Sequence, residues 1–555
     1  MSTGETVSPR GSATPPAVLT ERQWKAVGSV LAWAAPLAVL LVLRGTIGFN
    51  ICDDAYISLK VASNFANGRG MTFNPGEANY VATSPLWVLL ISALQHVTGS
   101  IVLAAKTLTV LCEALLVVTL VRFASGLPHG RWVGFFGALF LITNPVFLFT
   151  GGSGQEISLF LLAIVLAADL LRTGRSALAL AAAAVAVWIR FEGVVLYVVV
   201  ALWVWGSWGR VLKTSAAGLA LRYLPSLAIL AGFALFGLWV HGTVLPASVQ
   251  RKLMESQTPF TGPWWVGAGA VLQEFWLTLL GKNTYWQRAD TLSAALLLPM
   301  GIGLGYLVVR RRKETAALLA FTLLYVLGFV GGGALRAVHF PWYFVPVLPA
   351  LSVAAGAGFV WILGRLSDGL AWFRDLRRYA VPEALFAAPW VVLMYFGSIR
   401  TDAEILNSGP VGTTEREKVY AAAALWAGQN LPPGSVVAAI EIGAIGFYLP
   451  PDFSVLDIYG LVRRKDEVRT AWMELLDRRP PEVVFSRAFF SYAKSINESR
   501  PGRYVWYRYR SLDIGIRSDL SRRLAPTLSD IQRMHETVDL SRDHVWPARS
   551  PAYRP

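Results

Sequence analysis

The chain is 555 residues long, 54% hydrophobic and only 15% charged, with a mean hydropathy of +0.48. Soluble domains carry about 25% charged residues, so this composition excludes a disordered chain or an ordinary soluble enzyme and points to a multi-span membrane protein. Cys52 and Cys112 are the only cysteines, which excludes a disulfide scaffold; the net charge of +15 sits mostly in short loops and the C-terminal region, suiting an anionic lipid surface and not nucleic acid.

Residues 1–26 are polar, hold Pro15 and Pro16, and read as a cytoplasmic tail without a cleavable signal peptide. The membrane domain follows over 27–399. Its apolar stretches approach the ~20 residues needed to cross ~30 Å of hydrocarbon. Eleven spans are expected, near 27–49, 101–123, 132–150, 156–172, 176–190, 193–209, 220–241, 290–309, 314–331, 342–364 and 380–399. Ser84–Val97 is apolar but short, and is expected to lie at the membrane interface. With the amino terminus inside, inside segments carry eighteen Lys and Arg against eight in the longer outside loops, as the positive-inside rule requires. Two outside loops are large, 50–100 and 242–290.

From residue 400 the chain changes character. Glu415–Leu431 reads as an amphipathic helix, and Val436–Ile440, Phe453–Ile458 and Glu482–Ser486 as short buried strands. An extracytoplasmic α/β module is expected over 400–520, followed by an irregular tail over 521–555. The fold class is therefore an all-α polytopic membrane domain with a C-terminal α/β module.

The first outside loop carries the strongest chemical signal. Asp53 and Asp54 stand immediately after a span, where a neighbouring like charge and a low-dielectric boundary raise a carboxyl pKa. Such a pair suits a general base or a cation ligand, so a divalent metal on Asp53 and Asp54 stays open; Asp54 as the N-cap of a helix over Ala55–Asn67 is the structural alternative. Glu156 and Glu192 lie in short turns at the same face, where an unpaired acid is expensive. Arg190 can pair with Glu192 across a helical hairpin. Arg251, Lys252, Arg336 and His339 are further outside-facing cations, with anionic headgroups as the simpler partner of Arg251 and Lys252. Glu77, in Pro75-Gly76-Glu77, is either a site residue or a solvated turn residue. Trp264, Trp265, Trp276 and Trp286 are interfacial anchors or platforms for sugar rings. The chain holds no P-loop, HExxH, CxxC or Gly-x-Ser-x-Gly signature, so no nucleotide cofactor is expected.

Asp53-Asp54-Ala55-Tyr56-Ile57, then Asn67-Gly68-Arg69-Gly70, Phe73-Asn74-Pro75-Gly76-Glu77 and Thr83-Ser84-Pro85-Leu86-Trp87 resemble the first extracytoplasmic loop of bacterial GT-C glycosyltransferases. The pattern is nearest to the terminal arabinofuranosyltransferases of the actinobacterial cell wall and more distant from protein O-mannosyltransferases and aminoarabinose transferases. Gly151-Gly152-Ser153-Gly154-Gln155-Glu156, Arg190-Phe191-Glu192-Gly193 and Ile442-Gly443-Ala444-Ile445-Gly446 extend the resemblance. It implies a polyprenyl-phosphate sugar donor, a cell-envelope acceptor and an inverting single displacement at the outer face of the inner membrane. By position in the motif, Asp53 is the expected base, with Asp54 orienting it. Glu77, Glu156, Arg190, Glu192, Arg251, Lys252, Arg336 and His339 are the expected substrate-binding residues. A secondary transporter or lipid flippase is the rival; it would place polar groups near the bilayer midplane in broken helices.

Overall fold

The computed structural model describes residues 21–77, 83–211, 216–244, 263–279, 297–310, 313–333, 341–369, 413–462, 470–488 and 492–546. The membrane domain begins with α1 (Glu21–Ile47), α2 (Asp53–Ala66), α3 (Pro85–Thr98) and α4 (Ile101–Ala124). It continues with α5 (Gly130–Ile142), α6 (Pro145–Gly152), α7 (Ile157–Arg172), α8 (Ser176–Ile189), α9 (Gly193–Val211) and α10 (Ala216–His241). After these come α11 (Trp264–Leu279), α12 (Leu297–Val309), α13 (Lys313–Gly333) and α14 (Leu348–Gly369).

Helices coincide with every expected span except 380–399, which lies outside the described residues. Among the described residues, four stretches are long and apolar enough to cross a membrane alone: Val30–Ile47, Ile101–Ala124, Ala220–Val240 and Val345–Leu366. The span expected over 132–150 is instead two helices, α5 and α6, bent by 64°. Asn144 makes the break: its side-chain oxygen accepts the Val146 and Phe147 N–H groups, and Pro145 takes the first helical position, where its missing donor costs nothing. The large loop expected over 242–290 contains an apolar helix, α11, whose Trp264, Trp265 and Trp276 are exposed.

Small residues let the helices close up, as packing in lipid demands. A Cβ on Gly303 in α12 would sit 1.7 Å from the Ala354 carbonyl of α14, and one on Gly358 would sit 1.7 Å from the Pro299 carbonyl. Two buried acids within the helices are paired with arginine. Arg44 of α1 binds Glu113 of α4 through Nε at 2.8 Å and also through Nη2, and Ser158 donates to the same carboxylate at 3.1 Å. Asp169, fully buried, is held by Arg122 at 2.8 Å and Arg172 at 2.7 Å.

The C-terminal module starts with α15 (Thr413–Asn430), β1 (Val436–Ala439), α16 (Gly443–Tyr448), β2 (Ser454–Asp457), α17 (Trp472–Arg478) and β3 (Val483–Arg487). It then adds α18 (Tyr492–Ser499), β4 (Tyr504–Tyr509), β5 (Leu512–Arg517), α19 (Ser518–Leu524) and α20 (Asp530–Thr537). The strands form one sheet in the order β2-β1-β3-β5-β4, parallel across β2, β1 and β3 and antiparallel from β3 to β5 to β4. The expected irregular tail is therefore corrected. Residues 518–537 are helical, with Ile531 and Met534 buried under α15. Beyond them the chain crosses back to the membrane domain, where the Asp543 carboxylate accepts from the Ile101 N–H at 2.8 Å, the Val102 N–H at 3.1 Å and the Ser100 hydroxyl at 3.1 Å.

The module is not an independent unit resting on the membrane domain. Tyr56, Phe73 and Trp87 of the first loop share one continuous core with Trp426 and Tyr448 of the module.

Candidate active site

Helix α2 begins at Asp53, with Cys52 as its N-cap residue and no side-chain cap. The expected Asp54 cap is thus replaced by an acidic first turn, which is favourable beside the helix N-terminus. A helix rotates about 100° per residue, so the two adjacent acids point in different directions. Asp53, Tyr56, Lys60 and Asn64 share a stripe and are all buried, whereas Asp54 is exposed and Ile57 and Ser58 are half-buried.

Asp53 is 5% exposed and faces the module. Its carboxylate accepts the Gly443 N–H at 3.1 Å and the Ala444 N–H at 2.8 Å, and its own N–H donates to Glu417 Oε1 at 3.0 Å. Arg416 donates to the same Glu417 oxygen at 2.5 Å and lies 3.5 Å from Glu441, which Arg487 also approaches at 3.5 Å. The Tyr420 hydroxyl donates to Glu441. Burial, with Glu441 beside it, pushes the Asp53 carboxyl up to about 8 against the pull of Arg416 and the Ala444 N–H. Burial likewise pushes Glu417 up to about 7, opposed by Arg416. Asp53 of the loop thus joins Glu417, Glu441, Arg416 and Arg487 of the module in one charged cluster at the seam.

The other side of α2 packs on the 152–156 turn. The Asn50 N–H donates to the Gly152 carbonyl and the Cys52 N–H to the Ser153 carbonyl, each at 3.0 Å, and the Ala55 methyl lies against Gly154. Within this turn, Glu156 Oε1 accepts from Arg190 at 2.6 Å, and Glu192 accepts from the same guanidinium at 3.0 Å. The Arg190 Cζ lies 5.8 Å from the centre of the Tyr343 ring, and its buried Nε has no acceptor among the described residues. Burial works against the Arg190 charge, but Glu192 and Glu156 more than offset it and hold its pKa above the ordinary value.

The structure thus sets the start of α2, which carries Asp53 and Asp54, against the turn that ends in Glu156, and it widens the pair expected between Arg190 and Glu192 into a triad with Glu156. Glu77 is corrected: it is neither a solvated turn residue nor placed at this site. It binds Arg479 at 2.9 Å and accepts from Asn74 at 2.9 Å, while Asn74 exchanges two 2.9 Å hydrogen bonds with the main chain of Val455 on the outer edge of β2. Arg251, Lys252, Trp286, Arg336 and His339 lie outside the described residues. Among the described residues no set of three His, Cys, Asp or Glu side chains converges on a cation. Sequence reasoning missed Arg416, Glu417, Tyr420 and Glu441; the one nearby signal was Ile442-Gly443-Ala444, because Gly443 leaves no room for a Cβ against the Asp53 backbone.

Residues 410–531 match a domain of unknown function, DUF8728. No curated protein matches the chain by sequence. Among solved structures, ArnT from Cupriavidus metallidurans in the apo state superposes with a TM-score of 0.58 at 16% identity, over 89% of this chain and 99% of that one. The chain has the fold of ArnT. ArnT bound to undecaprenyl phosphate superposes with a TM-score of 0.53 at 14% identity, over 89% and 97% of the two chains. The arabinofuranosyltransferase AftD from Mycobacteria gives a TM-score of 0.38 at 14% identity, over 90% of this chain and 42% of that one.

Proposed function

We propose that this protein is an inner-membrane glycosyltransferase, with its amino terminus cytoplasmic and its module outside. It takes a sugar from a polyprenyl-phosphate donor and passes it to a cell-envelope acceptor. The observation that carries the reading is the start of α2, with its two acids, packed on the turn that leads into the Glu156–Arg190–Glu192 triad, in a chain that superposes along nearly its whole length on ArnT. The undecaprenyl phosphate of the second ArnT structure supports the donor class. The charges within the helices speak against the transporter: buried Glu113 and Asp169 are each tied to arginine, and half-buried Lys106 donates to the Ser541 carbonyl at 3.2 Å.

In the proposed step, an acceptor hydroxyl oxygen attacks the anomeric carbon. The bond from that carbon to the phosphate oxygen breaks on the opposite face, and the configuration inverts. The hydroxyl proton passes to a carboxylate of the α2 pair. Asp54 takes this role and Asp53 positions it, the reverse of the order expected from the motif, because Asp53 is enclosed beneath Gly443 and Ala444 while Asp54 is exposed. Glu156 and Glu192 outnumber Arg190 and suit sugar hydroxyls. The phosphate charge of the leaving group falls to Arg190 together with Arg251, Lys252, Arg336 and His339.

The test is incubation of the purified chain in proteoliposomes with a panel of radiolabelled polyprenyl-phosphate sugars. Sugar transfer or donor hydrolysis that depends on Asp54 is expected. A lipid carried between leaflets, with every donor left intact, would establish the transporter instead.

A further inference from the structure

A second feature lies at the opposite end of the membrane domain. Helix α4 starts at Ile101, beside Asp543 of the module, and its 24 residues rise about 36 Å at ~1.5 Å each. The turn that follows, Leu127-Pro128-His129, is therefore remote from the candidate active site. A cavity of about 200 Å³ lies between this turn, the end of α12 and the last turns of α14. Its lining grades from apolar, at Leu307 and Ala357, to polar, at His129, Tyr306, Arg365 and Asp368.

We infer that this cavity binds the phosphate headgroup of an anionic membrane phospholipid. Three observations support the assignment. The first is charge. Arg365 lines the cavity, and Arg310 follows Tyr306 by one helical turn. The Arg172 guanidinium lies against Gly126, next to Leu127. With Arg122, four arginines (Arg122, Arg172, Arg310 and Arg365) stand against two acids, Asp169, which Arg122 and Arg172 share, and Asp368 of the lining, a surplus of two positive charges among these residues. Basic pockets between membrane helices are suited to anionic lipid headgroups.

The second is preorganisation. The Arg365 Cζ stands 5.3 Å from the centre of the Trp361 ring, which restrains a long side chain that is otherwise exposed. His129 is held at φ 54°, a conformation that costs energy for any residue with a Cβ. The third is the surroundings, which distinguish a lipid from free phosphate. Val308, Val309, Trp361 and Leu366 are 59%, 77%, 39% and 45% exposed around the same helix ends. They offer apolar surface to acyl chains where a soluble anion would find none.

The experiment is native mass spectrometry of the full chain, released from detergent after incubation with phosphatidylglycerol, phosphatidylcholine or inorganic phosphate. Wild-type protein should retain phosphatidylglycerol in preference to phosphatidylcholine. Arg365→Gln should cut that retention ~5-fold, the effect of removing one cation at a lipid surface, while Arg365→Lys keeps it. Equal retention by wild type and Arg365→Gln, at unchanged unfolding temperature, overturns the inference. So does displacement of the lipid by equimolar inorganic phosphate, which would make the site one for a free anion. Hydrogen exchange on wild-type protein requires no variant. Phosphatidylglycerol, and not phosphatidylcholine, should slow exchange across residues 126–131, and equal rates in the two lipids refute the site.

Discussion

Replacing each α2 acid separately tests the proposed division of labour. In Asp53→Asn the amide keeps one acceptor oxygen, so either the Gly443 or the Ala444 N–H loses its partner in a buried seam. A buried donor left unsatisfied costs ~1–3 kcal/mol, and that cost falls on the fit between α2 and the module. Asp54→Asn removes the proposed base instead, which should lower kcat by ~10²–10⁴-fold without affecting the seam. The assay pairs initial rates of sugar transfer in proteoliposomes with hydrogen exchange at residues 443–448. Asp53→Asn is expected to speed exchange there, with a smaller loss of rate; Asp54→Asn is expected to leave exchange unchanged and nearly abolish turnover. The reasoning fails if Asp53→Asn abolishes turnover with exchange unaltered while Asp54→Asn still turns over.

The seam also sets a pH dependence. Asp53 rises from 3.8 to about 8 and Glu417 from 4.5 to about 7, so the folded protein holds protons that the unfolded chain has released. Stability should therefore fall as pH rises from about 4 to about 8; the unfolding temperature should be higher at the acid end of that range and the slope flatter in Glu417→Gln, whereas a temperature that climbs with pH would contradict the sign. Gly443→Ala would place a methyl 1.7 Å from the Asp53 carbonyl oxygen, so it should loosen the module at least as much as Asp53→Asn, read by the same exchange measurement; wild-type exchange in this variant would show that the contact can yield. Asp543→Ala removes the acceptor for the Ile101 and Val102 N–H groups at the start of α4, a capping loss of ~1 kcal/mol that should appear as faster exchange at 100–103, and unchanged rates there would show that Asp543 does not hold the start of α4.

Hydropathy alone located the helices wherever a helix is buried in apolar surroundings, and β-branched runs located β1, β2 and β3. What it missed has physical causes. The β4–β5 hairpin carries alternating Tyr and Arg, and its turn places Arg510 at φ 51° without the Asn-Gly signal that usually marks such turns. Helix α20 buries only Ile531, Met534 and His535 over two turns, too short a pattern to stand out. The broken span at Asn144 was hidden because both halves are equally apolar. Adjacent acids drew notice as a pair, yet adjacency on a helix separates their directions, and the groups that enclose Asp53 lie more than 360 positions along the chain. No local pattern shows a contact at that separation.

That long-range closure decides how substrates reach the site. Opening it by lifting the module would expose Tyr56, Phe73, Trp87, Trp426 and Tyr448, all fully buried in one cluster. At ~2–3 kcal/mol for each large side chain, this costs on the order of 10 kcal/mol, comparable to the whole stability of a typical domain. Lifting is therefore no part of a turnover cycle. The module is a fixed wall, and Asp53, Asn74 and Glu77 are the fasteners that hold the first loop against it. On the proposed function, donor and acceptor would reach the site from the side of α2 on which Asp54 is exposed. On this account the sequence motif that marks the loop records two requirements at once: a carboxylate for chemistry, and a neighbouring carboxylate that keeps the loop in place.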